Sequence, residues 1–154
     1  VIIGDGPERS SLEKLANSLG EIRPRIHFCG WRRPAARDLR ALDLCVCPSK
    51  NEGTSVAIIE ACVAGVPVLS TDVGGMGDLL EQGRWGTLVP FELGALTRGI
   101  RESLGDGSTR QRAQNSSGYF SQRISNDRLV AETAALYKAL ERGNEHSHPS
   151  KENG

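Results

Sequence analysis

Short apolar runs alternate with longer stretches of helical spacing along this chain, and glycine or proline closes most of them. Val1–Ile3, Arg25–Cys29, Leu44–Cys47, Pro67–Ser70 and Thr87–Val89 read as strands. Leu12, Leu15, Ala16 and Leu19 recur at the interval of one helix face, with Gly20 as its C-cap. Further helices are expected at Ala35–Leu42, Thr54–Ala64, Met76–Gln82, Leu93–Leu104, Thr109–Gln122 and Asn126–Arg142. Apolar residues cover most of the surface of Thr54–Ala64, so that helix is expected to be deeply buried. The strands are apolar throughout instead of alternating, which argues for a parallel sheet covered by helices on both faces. The expectation is one α/β domain of doubly wound type over 1–142, followed by a disordered polar tail over 143–154.

At 154 residues the chain has the length of one domain. Its 19 basic and 19 acidic residues balance, so no overall field favours nucleic acid or an anionic membrane. No apolar run reaches bilayer-spanning length and no signal peptide is visible, which points to the cytoplasm, with peripheral contact at the inner membrane face left open. The chain opens on Val-Ile-Ile, already inside a strand, and reads as a piece whose upstream sequence is absent. Cys29, Cys45, Cys47 and Cys62 all lie in apolar segments. Cys45 and Cys47 share one strand face, but no His/Cys set of ligand spacing completes a metal site. The four are read as buried small hydrophobes in a reducing compartment.

Ligands of open α/β sheets bind where strand ends lead into helix starts. Three such loops carry glycine: Gly4-Asp5-Gly6, Asn51-Glu52-Gly53-Thr54-Ser55 and Asp72-Val73-Gly74-Gly75. Gly53 lets an anion approach the backbone, and the N–H groups of Thr54, Ser55 and Val56 face it with the helix dipole behind them. Thr54 and Ser55 add hydroxyl donors; ordinary Ser/Thr capping of a helix is the plainer alternative. Glu60 sits in an otherwise apolar helix, where a carboxylate is costly unless paired or facing a cavity. It suits the two vicinal hydroxyls of a ribose, or a salt bridge to an arginine. Glu52 is placed to meet a sugar, or is a solvated loop charge. Arg32, Arg33, Arg37 and Arg40 form a basic edge read chiefly as a solvated helix face. Trp31 and Trp85 are read as core or interdomain packing, with the cleft rim as the alternative.

Six elements then occur in a familiar order: Gly4-Asp5-Gly6-Pro7, Phe28-x-Gly30, Pro48-Ser49, the pair Glu52 and Glu60, Ala64-Gly65-Val66-Pro67-Val68, and Asp72-Val73-Gly74-Gly75. Over 1–142 the chain resembles the C-terminal, donor-binding domain of retaining GT-B glycosyltransferases of family 4, the glycosyl transferases group 1 type, with its Rossmann-like sheet. The resemblance implies that Glu60 holds the ribose hydroxyls and that Glu52 contacts the donor sugar near the reacting centre. It implies that Gly53, Thr54, Ser55 and Val56 take the diphosphate and sugar, and that His27, Phe28, Cys29 and Gly30 lie against the nucleobase. Transfer is expected with retention, the departing phosphate taking the acceptor's proton, with no cofactor and no essential metal. The donor is expected to be a nucleoside diphosphate sugar, UDP first. The other expected partners are an N-terminal GT-B domain absent from this sequence and an acceptor glycan, lipid or small molecule. Asp78 stands where many relatives carry Glu.

Two alternatives share the architecture: a non-catalytic nucleotide-binding fragment, and a sugar-nucleotide epimerase, for which His27 is the only histidine near the cleft. A dinucleotide-binding oxidoreductase fits poorly, because Gly4-Asp5-Gly6 lacks the third glycine of that fingerprint.

Overall fold

The structure, a computed structural model, describes residues 1–32 and 39–145, with the backbone alone for 126 and 141–145. Half of the expected helix at Ala35–Leu42, residues 35–38, falls outside the described residues, as do Arg33, Arg37 and the tail from 146 onward. The chain forms two compact units, Val1–Asp38 and Leu39–Gly154.

In the first unit, β1 (Ile2–Ile3) pairs in parallel with β2 (Phe28–Gly30), and α1 (Arg9–Asn17) and a 3₁₀ turn (Gly20–Arg25) lie between them in the chain. Strand β2 starts three residues later than the expected Arg25. Pro24 lies inside the 3₁₀ turn, and Arg23 fastens the turn's exit through the Ile26 carbonyl (2.9 Å). Helix α1 ends before Gly20, which adopts a left-handed φ of +56° at the head of that turn. The amide of Gly4 donates to the carbonyl of Gly30 (2.8 Å), tying the turn after β1 to the end of β2.

The second unit is a three-stranded parallel sheet of β3 (Cys45–Cys47), β4 (Val68–Thr71) and β5 (Thr87–Val89), in that order. Its helices are α2 (Val56–Val63), α3 (Met76–Leu79), α4 (Leu93–Gly105), α5 (Gly107–Arg123) and α6 (Asn126–Glu145). The expected single sheet is thus two parallel sheets, one in each unit. Every residue of β4 is buried, so the central strand is covered on both faces, as its apolar composition demands. Leu69, Val89 and Ala95 form one core cluster. Helix α4 comes so close there that a Cβ at Gly99 would stand 2.7 Å from Leu69 Cδ1.

Helix α2 packs against α5, whose otherwise polar sequence buries Thr109, Ala113, Ser116 and Phe120 along one face. Ser117 donates its hydroxyl to the Val63 carbonyl (2.7 Å), satisfying one of the orphan acceptors at the end of α2. Helix α2 is not buried all round, as its composition had implied. Ile58, Ala61 and Cys62 are buried, while Val56 is 65% exposed and Ala57 and Val63 also face outward.

Helix α3 stops at Leu79 instead of reaching Gln82, because Glu81 and Gln82 both take left-handed φ (47° and 54°). Tyr119 of α5 holds that turn by donating to the Glu81 carboxylate, which also pairs with Arg84 (3.1 Å). Trp85 stacks on Tyr119 with ring centroids 4.8 Å apart, so this tryptophan packs between elements of the second unit. Trp31 in the first unit is largely exposed.

Candidate functional site

The loop from β3 into α2 is built on the polar end of the sheet. Ser55 is the N-cap residue of α2, yet its side chain does not cap the helix. It is buried, with its hydroxyl 3.8 Å from Cys47 Sγ, which in turn lies 3.3 Å from Ser49 Oγ. Of the two hydroxyl donors expected here, Thr54 alone is exposed at the mouth. The first N–H groups of α2 therefore have no side-chain cap and stay available to an acceptor. A Cβ added at Gly53 would meet nothing within 4 Å, so the space beside that backbone is open.

Glu52 is half-buried in this loop, and its carbonyl accepts the amide of Gly75 (3.3 Å). The loops after β3 and β4 meet backbone to backbone. A Cβ at Gly75 would stand 2.4 Å from the Gly53 carbonyl oxygen. The glycine pair is thus required for close approach, a role its sequence left unspecified. Glu60 is half-buried on α2, and no described arginine, lysine or histidine pairs with it. The salt-bridge alternative for Glu60 therefore finds no partner among the described residues.

Thr71 was not singled out by sequence reasoning. It ends β4, is fully buried, and donates its hydroxyl to the Ser49 carbonyl (2.6 Å). The only signal was the polar run Ser70-Thr71-Asp72 closing an apolar strand.

His27, Phe28, Cys29 and Gly30 belong to the first unit, at and before β2. Phe28, Ile2 and Leu12 line a cavity of about 300 Å³ there, floored by the Gly4-Asp5-Gly6 turn. Glu52, Gly53, Thr54, Ser55, Val56 and Glu60 are gathered on one loop and helix of the second unit.

Burial pushes the Cys45 thiol up to about 11 and the Cys62 thiol up to about 12, so both are protonated at neutral pH. All four cysteines are free. Among the described residues no group of three His, Cys, Asp or Glu side chains is disposed to hold a metal ion. No described helix is long and apolar enough to cross a membrane.

Residues 1–106 match the family model described as glycosyl transferases group 1. The chain belongs to that family. It is 34% identical over 112 residues to the lipopolysaccharide core biosynthesis glycosyltransferase LpsE of Rhizobium meliloti, covering 72% of this chain and 33% of LpsE. It is 31% identical over 121 residues to the lipopolysaccharide glucosyltransferase WaaG of Escherichia coli, covering 77% of this chain and 32% of WaaG. The chain therefore spans about a third of the length of these curated relatives.

Among solved structures, Anabaena Alr3699/HepE in complex with UDP-glucose superposes with a TM-score of 0.77 at 26% identity, over 89% of this chain and 40% of that one. The WaaG crystal structure superposes with a TM-score of 0.70 at 29% identity, over 86% of this chain and 36% of that one. The α/β architecture of parallel sheets and flanking helices is that of GT-B glycosyltransferases.

Proposed function

We propose that this chain is the donor-binding half of a retaining GT-B glycosyltransferase of family 4, and that it binds a nucleoside diphosphate sugar, UDP-linked first. One observation carries the reading: Glu60 is half-buried without a described ionic partner, on a helix whose start has no side-chain cap. A carboxylate and a row of free N–H groups on one short helix offer acceptors for ribose hydroxyls and donors for a diphosphate.

In this reading Glu60 takes the ribose hydroxyls. Gly53 admits the diphosphate to the backbone, and the N–H groups of Thr54, Ser55 and Val56 neutralise it. Glu52 meets the donor sugar close to the anomeric carbon. The nucleobase goes to the His27–Gly30 segment. The acceptor oxygen attacks from the face that the diphosphate leaves, and the departing phosphate oxygen takes its proton, so no protein nucleophile is needed. No resident cofactor or metal enters the scheme. An acceptor-binding GT-B domain and the acceptor itself complete the reaction. HepE, solved with UDP and with UDP-glucose, supports the choice of base.

Calorimetric titration of the chain with UDP, GDP and ADP tests the reading, with Glu60→Ala as the control. One nucleotide should bind, and the substitution should weaken it at least roughly tenfold, the worth of hydrogen bonds to a charged group. No binding by any of the three, or equal binding by Glu60→Ala, would overturn it.

A further inference from the structure

We propose that Thr71 is a positioning residue for sugar recognition, acting through Ser49 on the loop that carries Glu52. The inference rests on the donor-site reading above.

Thr71 and its neighbour Ser70 are both fully buried, but their hydroxyls do different things. Ser70 donates within the sheet, to the carbonyls of Cys47 (3.3 Å) and Thr71 (3.0 Å). Thr71 reaches beyond the end of β3, and its hydroxyl donates to the Ser49 carbonyl at 2.6 Å, with a longer approach to Cys47 (3.5 Å). Among the described residues, two hydrogen bonds hold the backbone of the 49–54 loop. One is this short bond from Thr71. The other is the longer amide bond from Gly75 to Glu52 (3.3 Å).

Glu60 is anchored independently. Its helix is held to α5 by Ser116, which donates to the Cys62 carbonyl (3.5 Å), and by Ser117, which donates to the Val63 carbonyl (2.7 Å). Loosening the Thr71 bond therefore frees Glu52 and leaves Glu60 in place. Ribose and sugar recognition are thereby separable, with Thr71 governing the second. A carboxylate that must meet particular sugar hydroxyls is sensitive to displacements of a fraction of an ångström, because hydrogen bonds weaken steeply with poor geometry.

The test compares wild type, Thr71→Val, Thr71→Ser and Ser70→Ala. Each is titrated with UDP, UDP-glucose, UDP-galactose and UDP-N-acetylglucosamine. Amide exchange at Gly75, whose N–H depends on the docked loop, is measured without ligand. Wild type should bind one UDP-sugar more tightly than UDP. Thr71→Val should reduce that preference roughly tenfold, weaken UDP itself by less than it weakens the preferred UDP-sugar because Gly53 and Thr54 share the loosened loop, and speed exchange at Gly75. Thr71→Ser keeps the hydroxyl and should restore the preference; Ser70→Ala removes an equally buried hydroxyl and should leave it intact.

An unchanged preference or unchanged Gly75 exchange in Thr71→Val overturns the proposal while leaving the donor site standing. Wild type that binds UDP but prefers no UDP-sugar also overturns it. Failure of wild type to bind UDP or any UDP-sugar removes both. If Thr71→Val does not fold, Thr71→Ala takes its place with the same expected outcomes.

Discussion

The α-carbon of Gly74 lies so close to Glu52 that a methyl group there would stand 1.8 Å from the Glu52 carbonyl oxygen. Gly74 also has a left-handed φ of +56°, so it is glycine for two independent reasons. Gly74→Ala is expected to push the two loops apart, at a cost of about 2–4 kcal/mol from overpacking and left-handed strain together, and to lose nucleotide-sugar affinity. Gly53→Ala is the contrast, because its Cβ meets nothing within 4 Å. It should change stability by no more than about 0.5 kcal/mol, yet weaken nucleotide-sugar binding by obstructing the diphosphate. Denaturant midpoints and UDP-sugar titrations of the two variants check both halves. Equal loss of stability in both would contradict the loop geometry.

Glu81 sets a pH dependence away from the site. The Tyr119 hydroxyl, first, and then Arg84 hold its carboxyl below the usual carboxylate range. A folded pKa below the unfolded one stabilises the protein fully above the unfolded value, about 4.3 for a glutamate. That contribution is lost as pH falls through the folded value. Glu81→Gln should therefore lower the urea midpoint at pH 7, and the gap from wild type should close toward pH 3. A gap constant across that range would rule out the assigned pairing.

Cys62 offers a test of packing. With its thiol pushed up to about 12 by burial, only about one molecule in ten thousand carries the thiolate at pH 8. Iodoacetamide at pH 8 should leave Cys62 unmodified in the folded chain and label it after denaturation, as peptide mass mapping would reveal. Rapid labelling of the native protein would show that the α2–α5 interface opens.

Phe120 is a buried anchor of α5, the helix that packs against α2. It is 1% exposed and meets Tyr119 edge to face at 5.4 Å between centroids. Phe120→Ala should cost about 3–5 kcal/mol, read as a fall in the thermal or urea midpoint. It should also weaken UDP binding, because α2 carries Glu60. A variant destabilised to this extent that still binds UDP normally would separate α5 packing from the site.

Strands β3, β4 and β5 fall within a residue of where the apolar runs placed them, because Pro48, Pro67, Gly86 and Pro90 mark ends of those runs. Helices α4 and α5 were equally legible. The α5 start even carries its own local device, since Asp106 accepts the Ser108 amide (2.8 Å) and caps the helix. Expectations failed where a distant residue overrides local preference. Met76–Gln82 reads as one helix until Tyr119 holds Glu81 in a left-handed turn. Ser55 reads as a cap until Cys47 turns its hydroxyl inward.

The sequence by itself determined the alternation of strand and helix, the carboxylate pair Glu52 and Glu60, and the glycine loops beside them, because those depend on local spacing and backbone permissiveness. Only the tertiary structure decided that Gly74 and Gly75 are glycine to admit another backbone, that Glu60 has no described ionic partner, and that Thr71 holds the Glu52 loop. Each is a contact between segments separated along the chain. Spacing along one segment cannot encode how closely another segment approaches it.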